Sequence, residues 1–248
     1  MRILVCIDDT DNLDSLGTGE LASILAQDIE EKGWGKSGAV TRHQLYVHPD
    51  IPYTSHNSSM CFATDLNDEY LNPFLQHAAD FLTRKSAEGS DPGLCVLLPE
   101  QLKGKDKLIA FGLKAKKEII TKEEAYNLAQ DLHIHLSEHG GTGQGVIGAL
   151  AGIALRLYGN DGRFKGKFKI KSEKGIASVR DILAQSRIEI VKSIDGTVLA
   201  EDELVWLGDT VKAVLLEGRC VLLVTPIEVS QAEGIHWQTC SKQLLKNY

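Results

Sequence analysis

The sequence predicts an α+β (mixed α/β) N-terminal domain at residues 1–170 and a smaller β-rich part at residues 171–248. In the first part, short apolar segments rich in branched side chains alternate with segments in which the apolar residues have helical spacing. A charge-rich stretch at 159–175 interrupts this pattern and marks the boundary. Beyond it, short apolar segments separated by turn residues favour strands.

The individual elements follow from the same two periodicities. Strands of the N-terminal domain are predicted at 2–7, 38–47, 58–64 and 94–98. Helices are predicted at 18–31, 68–85, 121–137 and 146–158. Thr121, with Glu124 three residues later, forms the capping-box pattern that starts the third of these helices. In the C-terminal part, strands are predicted at 189–191, 211–216 and 220–224, with Glu217-Gly218 as a hairpin turn.

The composition is that of a soluble globular protein, with 43% hydrophobic and 25% charged residues. No run approaches the roughly 18 apolar residues of a membrane-spanning helix. The first apolar segment reaches carboxylates directly after Ile7, without the longer apolar stretch and the cleavage site of a signal peptide. The sequence therefore predicts a cytoplasmic protein with no membrane partner.

The five cysteines are expected to be reduced thiols of the core. Their number is odd, no two are spaced as Cys-x-x-Cys, and most lie in apolar segments. This usage is unlike that of a disulfide framework or a zinc site.

The net charge of the chain bears on nucleic-acid binding. The formal value of −7 argues against broad, non-specific binding along the whole surface. A local basic patch stays open at Arg163, Lys165, Lys167, Lys169, Lys171 and Lys174.

Three carboxylates, Asp8, Asp9 and Asp11, follow the first predicted strand. Carboxylates this close repel one another unless a cation neutralises them. Mg²⁺ is the expected cation, because it is often held by one or two carboxylates, water and substrate phosphates. Thr10 could add a hydroxyl, and Thr18, between two glycines at the start of the next helix, lies where free N–H groups favour phosphate.

Three other interpretations of this loop fit less well. An Asp-rich turn that caps the helix would explain one aspartate but not three. An EF-hand loop starting at Asp9 would need a glycine at the sixth place, where Asp14 stands, and Leu13 at the fifth place also fails. The pattern D-x-D-x-[TV] of haloacid-dehalogenase-like enzymes aligns Asp9 and Asp11 but meets Leu13 at its last position.

A glycine-rich turn precedes the last predicted helix of the N-terminal domain. Gly143, Gly145 and Gly148 give the spacing G-x-G-x-x-G, which alone is weak evidence for a dinucleotide site. A helix, not a strand, is predicted before it, and no acidic residue stands where ribose recognition needs one, so we reject a Rossmann site. Approach of a phosphate and tight helix packing both remain open.

Polar residues also gather around a proline loop. Arg42 has the side chain suited to phosphate, and residues 48–53 read His-Pro-Asp-Ile-Pro-Tyr. His48 and His56 could serve as acid, base or ligand, although a structured surface loop explains the segment equally well. His135 and His139 are predicted on one face of the helix at 121–137, and polar helix-end residues are favoured over a zinc site.

Together and in this order, the three segments resemble the family of tRNA-isoleucine agmatinylcytidine synthetases, the TiaS family. Residues 7–11 match the family's I-D-D-T-D, and Thr18 matches its helix start. Arg42, residues 49–53 and Asn57 match an Arg, an N-P-x-I-P-[WY] loop and a T-R-G-N segment. Residues 143–151 match a G-R-G-L-I-G-A-L-A helix, so the resemblance covers about residues 1–158.

This resemblance implies ATP and magnesium. It also implies an N-terminal module that acts like a kinase on a cytidine of a tRNA anticodon, with agmatine as the incoming amine. The chain departs from the pattern at Gly17-Thr18-Gly19-Glu20, at His48, at Ser55-His56 and at Ser58. It also ends before the OB-fold and the zinc ribbon of the family, so the resemblance indicates a short paralogue with a different or lost acceptor.

The leading hypothesis is an ATP- and Mg²⁺-dependent phosphotransferase or ligase-like enzyme whose acceptor the sequence does not name. Asp8, Asp9 and Asp11 would bind the metal. Thr10, Thr18, Asn57, Gly143 and Gly145 would bind the nucleotide. Asp9, Asp11 and Arg42 would be the catalytic residues, with Arg42 neutralising charge on the transferred group.

Two hypotheses of other classes stay open. One is a non-catalytic nucleotide- or RNA-binding regulatory paralogue, and the other is a structural protein whose aspartates bind calcium. The expected partners are a nucleotide and an RNA or small-molecule acceptor, and a homodimer is a further expectation.

Overall fold

The computed structural model describes residues 1–51, 56–227 and 235–248, and it divides the chain into two units. Unit 1 is Met1–Tyr158 and unit 2 is Gly159–Tyr248. The division therefore falls before the charge-rich stretch, whereas the sequence prediction placed it at residue 170. The mixed α/β character of the first part and the β-rich character of the second are confirmed.

Unit 1 is built around one antiparallel sheet. Its strands are β1 (Arg2–Asp8), β2 (Gly35–Ser37), β3 (Thr41–Gln44), β4 (Ser58–Leu66), β5 (Gly93–Leu97) and β6 (His135–Glu138). They lie in the order β6-β5-β1-β4-β3, and β2 also pairs with β4. Because β1 runs antiparallel to both neighbours, its carboxyl end lies beside the start of β5, where Asp8 is opposite Gly93. This register places the aspartate loop against two other chain segments.

Helices cover both faces of this sheet. They are α1 (Thr18–Glu31), α2 (Leu71–Lys85), α3 (Lys105–Lys114), α4 (Lys122–Asp131) and α5 (Gly145–Tyr158). Alternate residues of β1 enter different cores: Val5 and Ile7 pack in one core with residues of α1 and α2, and Cys6 packs in the other with residues of α3, α4 and α5. Residues 3–7 of this strand are all apolar because both of its faces are buried there.

The helix predicted at 121–137 is wrong in its second half. The capping box of Thr121 and Glu124 is present, but α4 ends at Asp131 and residues 135–138 form β6. His135 and His139 therefore do not share a helical face. A strand does precede the glycine turn, contrary to the prediction, but β6 pairs antiparallel with β5 and so does not form the parallel βαβ unit of a Rossmann site.

Unit 2 consists mainly of short strands. They are β7 (Arg163–Phe164), β8 (Ile176–Ser178), β9 (Ile190–Ser193), β10 (Leu204–Trp206), β11 (Val214–Leu216), β12 (Arg219–Pro226) and β13 (Ile235–Thr239). The described part of this unit also contains the α-helix α6 (Val179–Gln185) and a short 3-10 helix at Leu244–Asn247. The order of the strands is β7-β11-β12-β13-β10-β8, with β9 parallel to β12. The predicted hairpin joins β11 to β12, and its two turn residues, Glu217 and Gly218, have φ of 52° and 75°.

Two further expectations concern the whole chain. All five cysteines are buried thiols, as the sequence predicts. Of the helices in the described ranges, none has the length and apolar character needed to cross a membrane.

Candidate functional site

The carboxylate loop begins at the buried end of β1. Asp8 is only 9% exposed. Its carboxylate lies over Gly148 of α5, where a Cβ would overlap it. Asp9 follows with a φ of 51°, a left-handed conformation that aspartate tolerates better than most residues. Both aspartates line the cavity described below, and Asp8 is the more deeply buried of the two.

Thr18 ties the loop to the start of α1. Its Oγ1 donates to Asp11 Oδ1 at 2.9 Å and accepts from Thr10 Oγ1 at 3.0 Å. Thr10 is fully buried, and its carbonyl accepts from the N–H of Ala87 at 2.9 Å. Thr10 therefore holds the loop in place, and Thr18 and Asp11 face the cavity described below.

Asp91 organises the glycine-rich turn before α5. Thr142 Oγ1 donates to Asp91 Oδ2 at 2.6 Å, and the Thr142 N–H donates to the other carboxylate oxygen. The Gly145 N–H donates to the Asp91 carbonyl at 3.1 Å. Gly143 has a φ of 76°, and a Cβ there would overlap the Glu138 carboxylate. A tight turn thus accounts for Gly143, whereas Gly145 lies at the cavity.

A cavity of about 440 Å³ lies where these segments meet. Its acidic lining is Asp8, Asp9, Asp11, Asp50 and Glu118. Its apolar lining is Leu45, Ile51, Ala115, Ile119, Ile120 and Ile147. Polar groups are added by Thr18, His56, Asn57, Ser58, Gln144 and Gly145. Within the described ranges no lysine or arginine lines this cavity, so its charge is strongly negative.

The electrostatics of the loop reflect this excess of carboxylates. Burial raises the pKa of Asp8 well above its usual value, and the neighbouring charges of Asp9 and Asp11 raise it further. Burial, followed by the charges of Asp91 and Asp11, raises the pKa of Asp9 to about 6, against a smaller opposing effect of a hydrogen bond from the Asp91 backbone. A bound cation would lower both pKa values by stabilising the ionised forms.

The three aspartates do not form a closed metal cage. In the described part of the chain, no group of three or more His, Cys, Asp or Glu side chains is arranged to hold a metal ion. This arrangement is compatible with Mg²⁺, which takes one or two carboxylates and completes its coordination with water and phosphate.

The proline-loop residues are only partly brought to the cavity. Asn57 lines it, and the Asn57 Nδ2 donates to the Tyr46 carbonyl at 2.6 Å. Arg42, on β3, donates from Nε to Ser58 Oγ at 3.0 Å and from Nη2 to Gln44 Oε1 at 2.9 Å, and it does not line the cavity. The rest of the predicted loop, residues 52–55 with Pro52, Tyr53 and Ser55, lies outside the described residues.

Several site residues were not found by the sequence analysis. Asp91 received no functional role from the sequence, yet the antiparallel pairing of β1 and β5 brings the start of β5 to the end of β1. Antiparallel pairing of the first and fourth predicted strands would have placed Asp91 near Asp8. Glu118 and Ile119 follow α3, a helix that was not predicted, and no local pattern marks them.

The fold and this site define unit 1 as a mixed α/β domain in which an acidic strand end meets the start of a glycine-initiated helix. The N-terminal part of the chain is similar in both sequence and structure to the TiaS synthetases. It is 32% identical to TiaS of Archaeoglobus fulgidus, a 2-agmatinylcytidine synthetase that acts on an isoleucine tRNA, over 63% of this chain and 36% of that protein. It is 26% identical to the Methanosarcina acetivorans TiaS, over 62% and 36% of the two chains.

An uncharacterized protein of Methanocaldococcus jannaschii is a further relative, 29% identical over 62% of this chain and 50% of its own length. Among solved structures, TiaS in complex with its isoleucine tRNA and ATP matches with 28% identity and a TM-score of 0.55, over 62% of this chain and 36% of that one. Apo TiaS matches with 27% identity and a TM-score of 0.54, over 62% and 35%. No protein-family model matches the chain. The regions matched in these curated relatives amount to between about a third and a half of their length.

Proposed function

We propose that unit 1 binds ATP together with Mg²⁺ and uses it in a phosphotransfer or ligase-like reaction on an RNA or small-molecule acceptor. The observation that carries this proposal is the cavity in which Asp8, Asp9 and Asp11 adjoin the first residues of α1 and α5. The similarity to TiaS, whose solved structures include a complex with an isoleucine tRNA and ATP, supports it.

The charge of the cavity requires a cation if a triphosphate is to enter. An ATP tetra-anion and the acidic wall repel each other, and no lysine or arginine of the described lining offsets this. Mg²⁺, held by Asp9 and Asp11 or by Asp8, would neutralise carboxylate and phosphate oxygens at once. The raised pKa of Asp9 supports this role, because the ionised carboxylate lacks a compensating positive charge.

Different groups of the cavity lining suit different parts of the nucleotide. The N-cap residue of α1, Gly17, supplies no side-chain cap, so the first amides of this helix offer N–H groups to phosphate. Thr18, held by Asp11, adds a hydroxyl at the same place. The apolar wall formed by Leu45, Ile120 and Ile147 can pack against a flat base, and Asn57 adds a polar group beside it.

Transfer of a phosphoryl group needs positioning and charge neutralisation more than a protein nucleophile. In this proposal Asp9 and Asp11 hold the reacting phosphate in place through the cation, and the acceptor supplies the attacking atom. Residues in the described lining provide no thiol or amine that would form a covalent intermediate.

Isothermal titration calorimetry of ATP, with and without MgCl₂, tests the binding. We expect heat only when Mg²⁺ is present, and a loss of at least about tenfold in affinity for Asp9→Ala. Asp65→Ala, at an exposed position of β4, is the matched control and should bind as the wild type does. Equal binding without Mg²⁺, or by Asp9→Ala, would contradict the proposal.

One observation favours the alternative of a non-catalytic nucleotide- or RNA-binding paralogue. Arg42, the residue proposed to neutralise the transferred group, contacts Ser58 and Gln44 and does not line the cavity. Tight Mg·ATP binding without turnover across a panel of RNAs and amines would support this alternative. ATP turnover that depends on Asp9 would support the enzyme.

A further inference from the structure

A cleft of about 800 Å³ in unit 2 has a lining opposite in charge to the cavity of unit 1. Lys167, Lys169 and Lys171 line it, and Asp209 is the acidic residue among the described lining. Between residues 163 and 174 the chain carries six basic residues and one acidic residue, although the whole protein has a net charge of −7. This short segment therefore carries a local excess of positive charge in a protein that is acidic as a whole.

The segment that carries these lysines is held by its backbone and by its apolar residues. Phe168 forms a β-bridge to Val211, with its N–H donating to the Val211 carbonyl at 3.1 Å. The Gln185 side chain accepts from the Lys171 N–H at 2.9 Å and donates to the Lys171 carbonyl at 3.3 Å. The lysines are exposed and alternate with half-buried Phe168 and Ile170, as on a strand with one face packed.

The ammonium groups of the three lysines are not used inside the protein. Throughout the described part of the chain, Lys167, Lys169 and Lys171 have neither an ion pair nor a side-chain hydrogen bond. Residues two apart on a strand lie about 6.7 Å from each other, a spacing comparable to that of successive phosphates in a single strand of nucleic acid. Three unpaired cations in a row therefore suit a phosphodiester backbone.

An aromatic side chain borders the same cleft. Trp206 of β10 is 37% exposed, and its indole lies against Gly175, which lines the cleft. A Cβ at Gly175 would be 3.5 Å from the indole Nε1. Exposed aromatic rings beside a basic groove bind single-stranded nucleic acid because bases stack on the ring while cations hold the backbone.

We infer that the unit 2 cleft binds a single-stranded nucleic-acid segment, with Lys167, Lys169 and Lys171 on the phosphates and Trp206 stacking on a base. The matches to TiaS proteins lie in the N-terminal part of the chain, so they assign no role to this cleft. The inference does not depend on the nucleotide chemistry proposed for unit 1.

Fluorescence anisotropy of a labelled RNA oligonucleotide of about 12 nucleotides, with the full chain and without ATP, tests the inference. The salt dependence of binding is the slope of log affinity against log salt concentration. The triple variant Lys167→Gln/Lys169→Gln/Lys171→Gln should reduce the magnitude of this slope by about 2, since each phosphate contact on a single strand contributes about 0.7. Between about 50 and 200 mM salt the wild type should therefore lose about 20-fold more affinity than this variant. Lys103→Gln/Lys105→Gln/Lys107→Gln, with the same spacing, exposure and change in charge, is the matched control and should keep the wild-type slope.

Trp206→Ala should lower the affinity at least about fivefold without changing the salt slope, and Trp206→Phe should retain most of it, which also controls for folding. Binding of single-stranded RNA or of single-stranded DNA would support the inference, because both offer phosphates and unpaired bases. Equal effects of the two lysine variants would overturn it. It would also be overturned if duplex RNA or heparin bound as tightly as the single strand and Trp206→Ala had no effect, since the cleft would then attract any polyanion.

Discussion

Replacing Asp9 by asparagine should stabilise unit 1 near neutral pH and leave its stability almost unchanged near pH 4. Burial and the charges of Asp91 and Asp11 raise the pKa of Asp9 to about 6 from a usual value of 3.8. The folded state therefore binds this proton more tightly than the unfolded state, and the free energy of unfolding falls as pH rises from about 4 to above 6. The difference in pKa corresponds to about 3 kcal/mol at high pH. Asparagine has no charge to desolvate, so the variant avoids this loss.

Urea unfolding between about pH 4 and pH 8 measures the effect. Trp34 is the tryptophan of unit 1, so its fluorescence reports on this unit once Trp206 and Trp237 are replaced by phenylalanine. Asp65→Asn, on the same sheet but exposed, controls for the removal of a negative charge. The reasoning is refuted if the advantage of Asp9→Asn over the wild type is the same at both ends of the pH range, or is larger at low pH.

Three further changes test other parts of unit 1. Gly148→Ala would place a methyl group where the Asp8 carboxylate lies. It should lower Mg·ATP affinity at least about tenfold in calorimetry, or destabilise unit 1 by about 1–3 kcal/mol in urea unfolding. No effect on either would mean that α5 shifts freely to make room. Thr18→Val removes a hydroxyl that bonds two loop residues and should cost about 1–2 kcal/mol in the same assay, with weaker nucleotide binding. Thr121→Ala breaks the capping box with Glu124 and should cost about 1 kcal/mol. Because no residue of α4 belongs to the described lining of the cavity, Mg·ATP affinity should stay unchanged, and a reduced affinity would contradict this reasoning.

The parts of the fold that the sequence predicted are those with a strong local period. The first strand is apolar at five consecutive positions, 3–7, and glycines mark the starts of α1 and α5 in the sequence. These elements also carry Asp8, Asp9 and Thr18, so the core of the candidate site could be found without the structure. Asp91 is brought beside these residues by the register between β1 and β5, which cannot be predicted from either segment alone.

The error at α4 has a local physical cause. His133 takes a φ of 55°, its N–H donates to the Gln130 carbonyl, and the Ile134 N–H donates to the Ala129 carbonyl at 2.8 Å. This is a Schellman ending, in which the left-handed position is usually glycine. Because a histidine occupies it here, the sequence shows no stop signal, and the helical pattern continues without interruption into β6.

The acidic loop is best understood as a feature that costs stability in the absence of a cation. Asp9 combines a left-handed backbone with a carboxylate whose ionisation is opposed by burial and by Asp91 and Asp11. A sequence under selection for stability alone would lose this arrangement through a single change to asparagine. Unit 1 instead secures it with Thr18 and by leaving space for Asp8 at Gly148. The same groups that destabilise the unliganded loop would stabilise a state with a bound cation. A divalent ion should therefore raise the unfolding free energy of the wild type more than that of Asp9→Asn. An equal rise in both would show that Asp9 has no role in binding the cation.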